Sequence, residues 1–211
     1  MYILCGLRFM LGWAFVRRHW TREDKRWALW RDRWANGEGA CGVTSIAANF
    51  FFFYHAQSLT NALLLSIPLH LACTNPRPGL HPLELLAPLA WLLAFSLETL
   101  ADRQLSAWKR LHRQDAPPSV CREGLWRHSR HPNYFFELLI WVCYAAFAVP
   151  SLPARLYLGP LLGMVPVVAY YFLVHFTGAF MAEQASLKHR GEAYRNYIQT
   201  TPMLIPFIGP T

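Results

Sequence analysis

The sequence predicts an all-α protein, a multi-pass bundle of about five transmembrane helices. Apolar residues make up 54% of the 211-residue chain and charged residues only 15%, well below the usual quarter of a soluble domain. Residues 42–73 contain no Asp, Glu, Lys or Arg across 32 positions, and residues 156–182 contain none across 27. Uncharged apolar stretches longer than about 18 residues are typical of membrane-spanning helices. The alternating pattern of a membrane β-barrel is absent from the sequence, so helices are the expected spanning elements.

Five crossings are predicted in order along the chain. They cover residues 1–16, 44–72, 80–101, 134–150 and 156–181. Two hairpins, turning at "TNPRPG" and "PSLPAR", return the chain to the side from which it came. No internal repeat divides the sequence, so a single domain over residues 1–211 is expected.

The net charge of +8 is explained by the membrane rather than by nucleic acid. Of the 20 Lys and Arg residues, seven lie within 17–33 and seven within 103–130, in both cases beside an apolar span. Cations at cytoplasmic span ends set membrane orientation. The sequence therefore predicts an integral protein of the bacterial inner membrane, or of the endoplasmic reticulum in a eukaryote, with a cytoplasmic C-terminus and membrane lipids as neighbours.

Neither a disulfide framework nor a metal site is predicted. The five cysteines are odd in number and include no CxxC pair. His128 and His131 form a single HxxH pair, whereas membrane di-iron sites need several such clusters. The other histidines of the spans are isolated from one another in the sequence.

The first polar group accompanies the end of the third predicted crossing. Asp102 and Lys109 are seven residues apart, so they share a face if the helix continues. Glu98 lies one turn before Asp102. An acid–base ladder at a helix end favours a binding site, although charges that reach out to lipid headgroups produce the same pattern.

The second polar group begins the fourth crossing, at "RHSRHPNYFFE". Pro132 suits the first turn of a helix, which places Asn133 and Glu137 on one face. Arg127 and Arg130 precede that helix start, where cations and backbone N–H groups attract an anion. Membrane interfaces also collect Arg, His and Tyr, but that alternative leaves the acid within the apolar run unexplained.

The third polar group is the C-terminal tail. Glu183 ends the last span, and Tyr194 and Tyr197 follow among basic residues. This pattern is typical either of an amphipathic tail on the headgroups or of a cap over an anionic cofactor.

Together the three groups resemble the steroid 5-alpha-reductase-like membrane protein family, in its broad bacterial and eukaryotic branch. The resemblance rests on "ETLADRQ" at 98–104, on "GLWRHSRHPNYFFE" at 124–137, and on a tail with Glu183, Tyr194, Tyr197, Thr200, Ile205 and Pro206. Upstream, "FFFYHAQS" at 51–58 is also similar to the family pattern, so the resemblance covers nearly the whole chain.

The resemblance implies an NADPH-dependent membrane oxidoreductase that reduces a carbon–carbon double bond of an apolar, steroid-like or lipid enone drawn from the bilayer. Hydride addition to such an enone needs a donor that stabilises the developing enolate; Tyr54 and His55 are the candidates. The expected cofactor-binding residues lie in the three polar groups. They are Asp102, Lys109, Arg127, Arg130, His131, Asn133, Tyr134, Glu137, Glu183, Tyr194 and Tyr197.

Two departures from the family keep other functions open. Phe136 replaces the glycine that usually precedes the motif's Glu, and the chain is N-terminally short relative to the family. Isoprenylcysteine and phospholipid methyltransferases share an "RHPxY" motif and bind S-adenosylmethionine, so a membrane methyltransferase is the first alternative. A non-catalytic lipid-binding homologue is the second.

Overall fold

The computed structural model describes residues 1–18, 25–39, 43, 45–112, 119–176 and 178–208. The described residues form helices and no strand, which confirms the all-α prediction. The α-helices are α1 (Tyr2–Arg18), α2 (Lys25–Ala35), α3 (Ile46–Cys73), α4 (Pro82–Leu111), α5 (Pro132–Ala148), α6 (Gly159–Tyr171), α7 (Ala179–Arg190) and α8 (Glu192–Thr200). Short 3₁₀ turns cover Gly124–Arg127, Val149–Ala154 and Leu156–Leu158, and a π-helical turn covers Phe172–Phe176.

Three of the described helical segments are long and apolar enough to cross a membrane: Pro82–Leu111, Pro132–Ala154 and Leu156–Arg190. They correspond to the third, fourth and fifth predicted crossings. The first two predicted crossings also form helices, α1 and α3, which are not among these three. α1 has 17 residues, and polar side chains such as His55, Gln57 and Asn61 interrupt the apolar run of α3.

The chain divides into two compact units, with the boundary inside α3. The first unit covers Met1–Leu63. Tryptophans of α2 pack there against rings of α3, with Trp34 and Phe50 edge to face at 4.7 Å between ring centroids. Trp27 lies 5.5 Å from Tyr54 in the same cluster.

The second unit starts at Leu64 and is built on the antiparallel pair α4 and α5. α4 begins at a capping box: the His81 ring accepts from the N–H of Leu83, and the Glu84 carboxylate accepts from the N–H of His81 at 2.7 Å. Pro132 occupies the first turn of α5, as predicted, because its missing N–H is not needed there. Leu71, Ala148 and Leu162 form a buried apolar cluster that joins α3, α5 and α6.

Both predicted hairpin turns are confirmed. The first lies between α3 and α4, and the second consists of the 3₁₀ turns between α5 and α6. The guanidinium of Arg155 donates to the carbonyl oxygen of Thr74 at 2.9 Å and so ties the two turns together. Asp102 and Asn133, by contrast, lie toward the other ends of α4 and α5.

Candidate functional site

A side-chain hydrogen bond joins α4 to the first turn of α5. The Asn133 amide nitrogen donates to a carboxylate oxygen of Asp102 at 3.1 Å. Asp102 is exposed and Asn133 is half-buried. The amide oxygen of Asn133 is buried and has no hydrogen-bond partner within the described part of the chain. A buried acceptor of this kind is unfavourable unless a donor reaches it, so it marks a place for a ligand N–H or O–H.

The turn that precedes α5 is fixed to α4 by two hydrogen bonds. The N–H of Leu125 donates to the side-chain oxygen of Gln104 at 3.0 Å, and the indole N–H of Trp126 donates to the carbonyl of Ala101 at 2.9 Å. The Trp126 ring is buried in a cluster with Trp108 and Cys121. These two bonds fix the turn that leads to Asn133, and so keep Asn133 next to Asp102.

Arg130 lies in the protein interior, where only 2% of its surface is exposed. Its Nε donates to a carboxylate oxygen of Glu183 at 2.6 Å, and the same oxygen lies 3.2 Å from Nε2 of His131. One terminal nitrogen of Arg130 also donates to the carbonyls of Ile198 and Thr201, at 3.0 and 2.7 Å. The predicted anion-binding Arg130 and the predicted tail residue Glu183 therefore join the start of α5 to α7 and α8.

The tail after α8 pairs with the segment just before α5. The N–H groups of Arg130 and His131 donate to the carbonyls of Pro202 and Met203, at 2.9 and 3.1 Å. The Ser129 hydroxyl donates to the carbonyl of Leu204 at 2.8 Å. These bonds fasten the tail to the segment that leads into α5.

Tyr197 anchors α8 from the other side of that segment. Its hydroxyl donates to the carbonyl of Trp126 and lies 3.2 Å from the carbonyl oxygen of Ser129. The neighbouring Tyr194 ring lies 5.8 Å away and is also buried. Burial raises the pKa of both phenols: nearby Glu183 adds to the shift at Tyr194, and Tyr194 adds to it at Tyr197.

These two tyrosines predict a loss of stability in alkali. An unfolded tyrosine loses its proton near pH 10, whereas folded Tyr194 and Tyr197 keep theirs to higher pH. Because the folded state then binds more protons, the free energy of unfolding falls as pH rises above about 10. The limiting slope is about 1.4 kcal/mol per pH unit for each tyrosine.

Thermal unfolding of the detergent-solubilised protein across this pH range would measure that slope. Tyr194→Phe and Tyr197→Phe should each flatten it, while Tyr157→Phe, at an exposed position, should leave it unchanged. The explanation fails if both buried-site variants keep the wild-type pH dependence.

Two arginines lie close to the buried rings of Trp108 and Tyr197. The Arg190 guanidinium carbon is 6.0 Å from the centre of the Trp108 ring, and that of Arg122 is 5.3 Å from the centre of the Tyr197 ring. Burial raises the pKa of the Cys121 thiol, and the positive charges of Lys109 and Arg190 oppose that shift. The arrangement is able to hold a ligand that carries several negative charges at this end of the second unit.

Most of the predicted site residues thus lie in the second unit, at the adjoining ends of α4 and α5. His131 is buried and stacks on Tyr134 at 5.3 Å, Glu137 is half-buried one turn beyond Asn133, and Arg127 and Lys109 are exposed. Phe136 is buried, and its side chain lines an apolar cleft between α4 and α5.

Tyr54 and His55 belong to the first unit, so this arrangement does not include them. The Tyr54 ring stacks on Phe50 at 5.9 Å and remains 47% exposed. Nδ1 of His55 lies 2.8 Å from the carbonyl oxygen of Phe51, on the same helix. Their assignment as proton donors stays a prediction.

Several residues of the site were not among the predicted ones. Gln104, Trp126 and Ser129 orient the site through backbone groups, and Arg122 and Arg190 supply cations. Gln104 and Trp126 belong to the motifs noted in the sequence, but a motif does not distinguish a residue that orients the site from one that binds a ligand. In the described segments, no group of three or more His, Cys, Asp or Glu side chains is placed to hold a metal ion.

Fold and site together define a helical membrane protein with a polar, cation-rich site at the adjoining ends of two spanning helices. The chain belongs to the family described as "Protein of unknown function (DUF1295)", which matches residues 1–201. No curated protein and no solved structure matches the chain.

Proposed function

We propose that this protein is a membrane-bound, NADPH-dependent reductase of a carbon–carbon double bond in an apolar, steroid-like or lipid enone. The observation that carries the proposal is the Asp102–Asn133 pair. The pair holds the side-chain amide of Asn133 in place through its N–H and leaves the oxygen of the same amide buried without a donor. The sequence resemblance to steroid 5-alpha-reductase-like proteins supports the same reading.

The residues of the site suit the two ends of a dinucleotide. The buried oxygen of Asn133 accepts an N–H such as that of a nicotinamide carboxamide, and Asp102 keeps the Asn133 amide from rotating. Lys109, Arg122 and Arg127 are exposed cations in α4 and in the segment before α5, and they can balance phosphate charge. NADPH, when bound, supplies the hydride that adds to the β-carbon of the enone.

In this proposal Arg130, His131 and Glu183 act as positioning residues. Their buried ion pair and hydrogen bonds fix the start of α5, and so fix the orientation of Asn133. Tyr54 and His55 remain the proposed donors to the substrate carbonyl. The cation-rich end of the second unit and the C-terminus are placed on the cytoplasmic side, where NADPH is available.

Ligand-induced stabilisation tests the proposal. We expect NADPH, but neither NADH nor S-adenosylmethionine, to raise the melting temperature of the detergent-purified protein, because a ligand that binds only the folded state stabilises it by mass action. Asp102→Asn and Glu137→Gln should each weaken NADPH binding by about tenfold or more, the loss of one charged or buried hydrogen-bonding group.

Two controls make the result interpretable. Glu192→Gln removes a surface carboxylate, 72% exposed, and should bind NADPH normally. Each variant must also keep the wild-type melting temperature without ligand, which separates binding from folding. Stabilisation by S-adenosylmethionine alone would assign the protein to the membrane methyltransferases, and normal NADPH binding by both variants would exclude the proposed site.

A further inference from the structure

The second unit has a second feature that the proposed reductase site does not use: it runs along the same helix pair from Leu97 and Phe136, near that site, to the opposite end. It consists of a long apolar cleft between α4 and α5 and two arginines in the hairpin turns beside the end of that cleft. We propose that it is a binding site for one membrane phospholipid, with an acyl chain in the cleft and the headgroup phosphate between Arg77 and Arg155.

The cleft has a volume of about 400 Å³ and an almost wholly apolar lining. Small side chains contribute to its lining, among them Ala87, Ala90 and Ala94 on α4 and Ala146 on α5. On α4 it extends from Leu83 to Leu97, about 21 Å along the helix. The hydrocarbon core of a bilayer is about 30 Å thick, and one acyl chain fills one leaflet, about half of that thickness, so the cleft is long enough for a whole chain.

The position of the cleft determines its surroundings. α4 and α5 both belong to segments long and apolar enough to span the membrane, so the open side of the cleft faces hydrocarbon. Within hydrocarbon an acyl chain gains little from the hydrophobic effect, and packing alone selects weakly. A lipid held in this cleft therefore needs a second, polar point of attachment.

The two arginines provide that attachment. Arg77 is exposed, and its guanidinium lies 3.5 Å from the carbonyl oxygen of Pro150; the guanidinium of Arg155 donates to Thr74 in the facing turn at 2.9 Å. Both groups thus lie between the same two turns, beside the Leu83–Ala146 end of the cleft.

No described carboxylate neutralises the charge on these arginines. Among the residues that the structure describes, neither guanidinium has a carboxylate within salt-bridge distance. The acid nearest to Arg77 in the sequence, Glu84, binds instead to the Asn75 amide and to the N–H of His81. A phosphate diester offers the anionic oxygens that a guanidinium binds best.

The sequence adds an independent reason. Arg77 and Arg155 are the only cations in the two hairpin turns, which lie on the side of the membrane that the positive-inside bias keeps poor in Lys and Arg. Two cations retained on that side and brought together by the fold fit recognition of an anionic headgroup.

Native mass spectrometry of the purified full-length protein with added lipid would test the site. We expect dioleoylphosphatidylglycerol to be retained at one molecule per chain. Dioleoylglycerol, which has the same chains and no phosphate, should bind at least tenfold more weakly, and glycerol 3-phosphate, which has no chains, should not be retained. Equal retention of the two lipids would overturn the proposal.

Substitutions in the cleft and in the hairpin turns test where the lipid binds. Ala90→Phe should fill the cleft and Arg77→Gln should weaken the headgroup contact, each reducing retention at least fivefold. Leu89→Phe on another face of α4 and Arg110→Gln at the other end of that helix are matched controls that should bind normally. Arg155→Lys keeps the charge if Arg155→Gln fails to fold, and it should retain the lipid. Retention by Ala90→Phe equal to that by Leu89→Phe would also refute the site.

Discussion

Replacing Arg130 by glutamine is expected to lower the free energy of unfolding by about 3–5 kcal/mol. The change removes the partner of Glu183, whose side chain is only 13% exposed, and leaves that charge without its 2.6 Å hydrogen bond. It also removes the donor to the carbonyls of Ile198 and Thr201. Denaturation of the detergent-solubilised protein by heat or by increasing dodecyl sulfate would measure the loss.

A double-mutant cycle separates the ion pair from simple loss of packing. Arg130→Gln combined with Glu183→Gln should cost less than the sum of the two single changes, because no unpaired charge remains. Arg127→Gln, three residues earlier at an exposed position, should leave the stability unchanged. Additive costs in the cycle would show that the pair is not coupled.

The elements that the sequence predicts best are those with a local physical signal. The start of α5 follows from Pro132, and the two hairpin turns follow from their prolines between apolar runs. The helix α4 continues to Leu111, ten residues beyond the crossing predicted at 80–101, because charged residues do not end a helix that leaves the bilayer; this meets the condition under which Asp102 and Lys109 share a face. The π-helical turn at Phe172–Phe176 has no local signal in the sequence.

In the candidate site too, the sequence identifies the residues but not the contacts between them. Asp102 and Asn133 were both selected from the sequence, but their contact joins residues 31 positions apart, and no spacing rule gives such a pair. Arg130 and Glu183 were predicted as cofactor-binding residues, and the structure pairs them with each other across 53 positions. The chemical type of a residue is enough to select candidate site residues in a membrane protein, because a charge near the bilayer is rarely without function. Whether such a charge meets a ligand or another side chain depends on tertiary packing.

Gly124→Ala is the second substitution expected to have a large effect, about 2–4 kcal/mol of unfolding free energy. Gly124 has a φ of +55°, which a residue with a Cβ adopts at a cost. A Cβ on Gly124 would also lie 2.5 Å from the amide nitrogen of Gln104. Gln104 would have to move, and its hydrogen bond from the N–H of Leu125 would be lost. Chemical or thermal denaturation would give the loss.

Gly191 offers the matched control for this prediction. Its φ of +51° is similar, but a Cβ there would meet no heavy atom within 4 Å. With a ψ of −120°, Gly191 lies outside the left-handed helical region, so Gly191→Ala should show a backbone cost alone, about 1–3 kcal/mol, with no collision. Adding Gln104→Ala to Gly124→Ala should relieve that collision, so the double variant costs less than the two single changes together. An additive double variant would mean that Gln104 yields freely and does not hold the turn before α5 against α4.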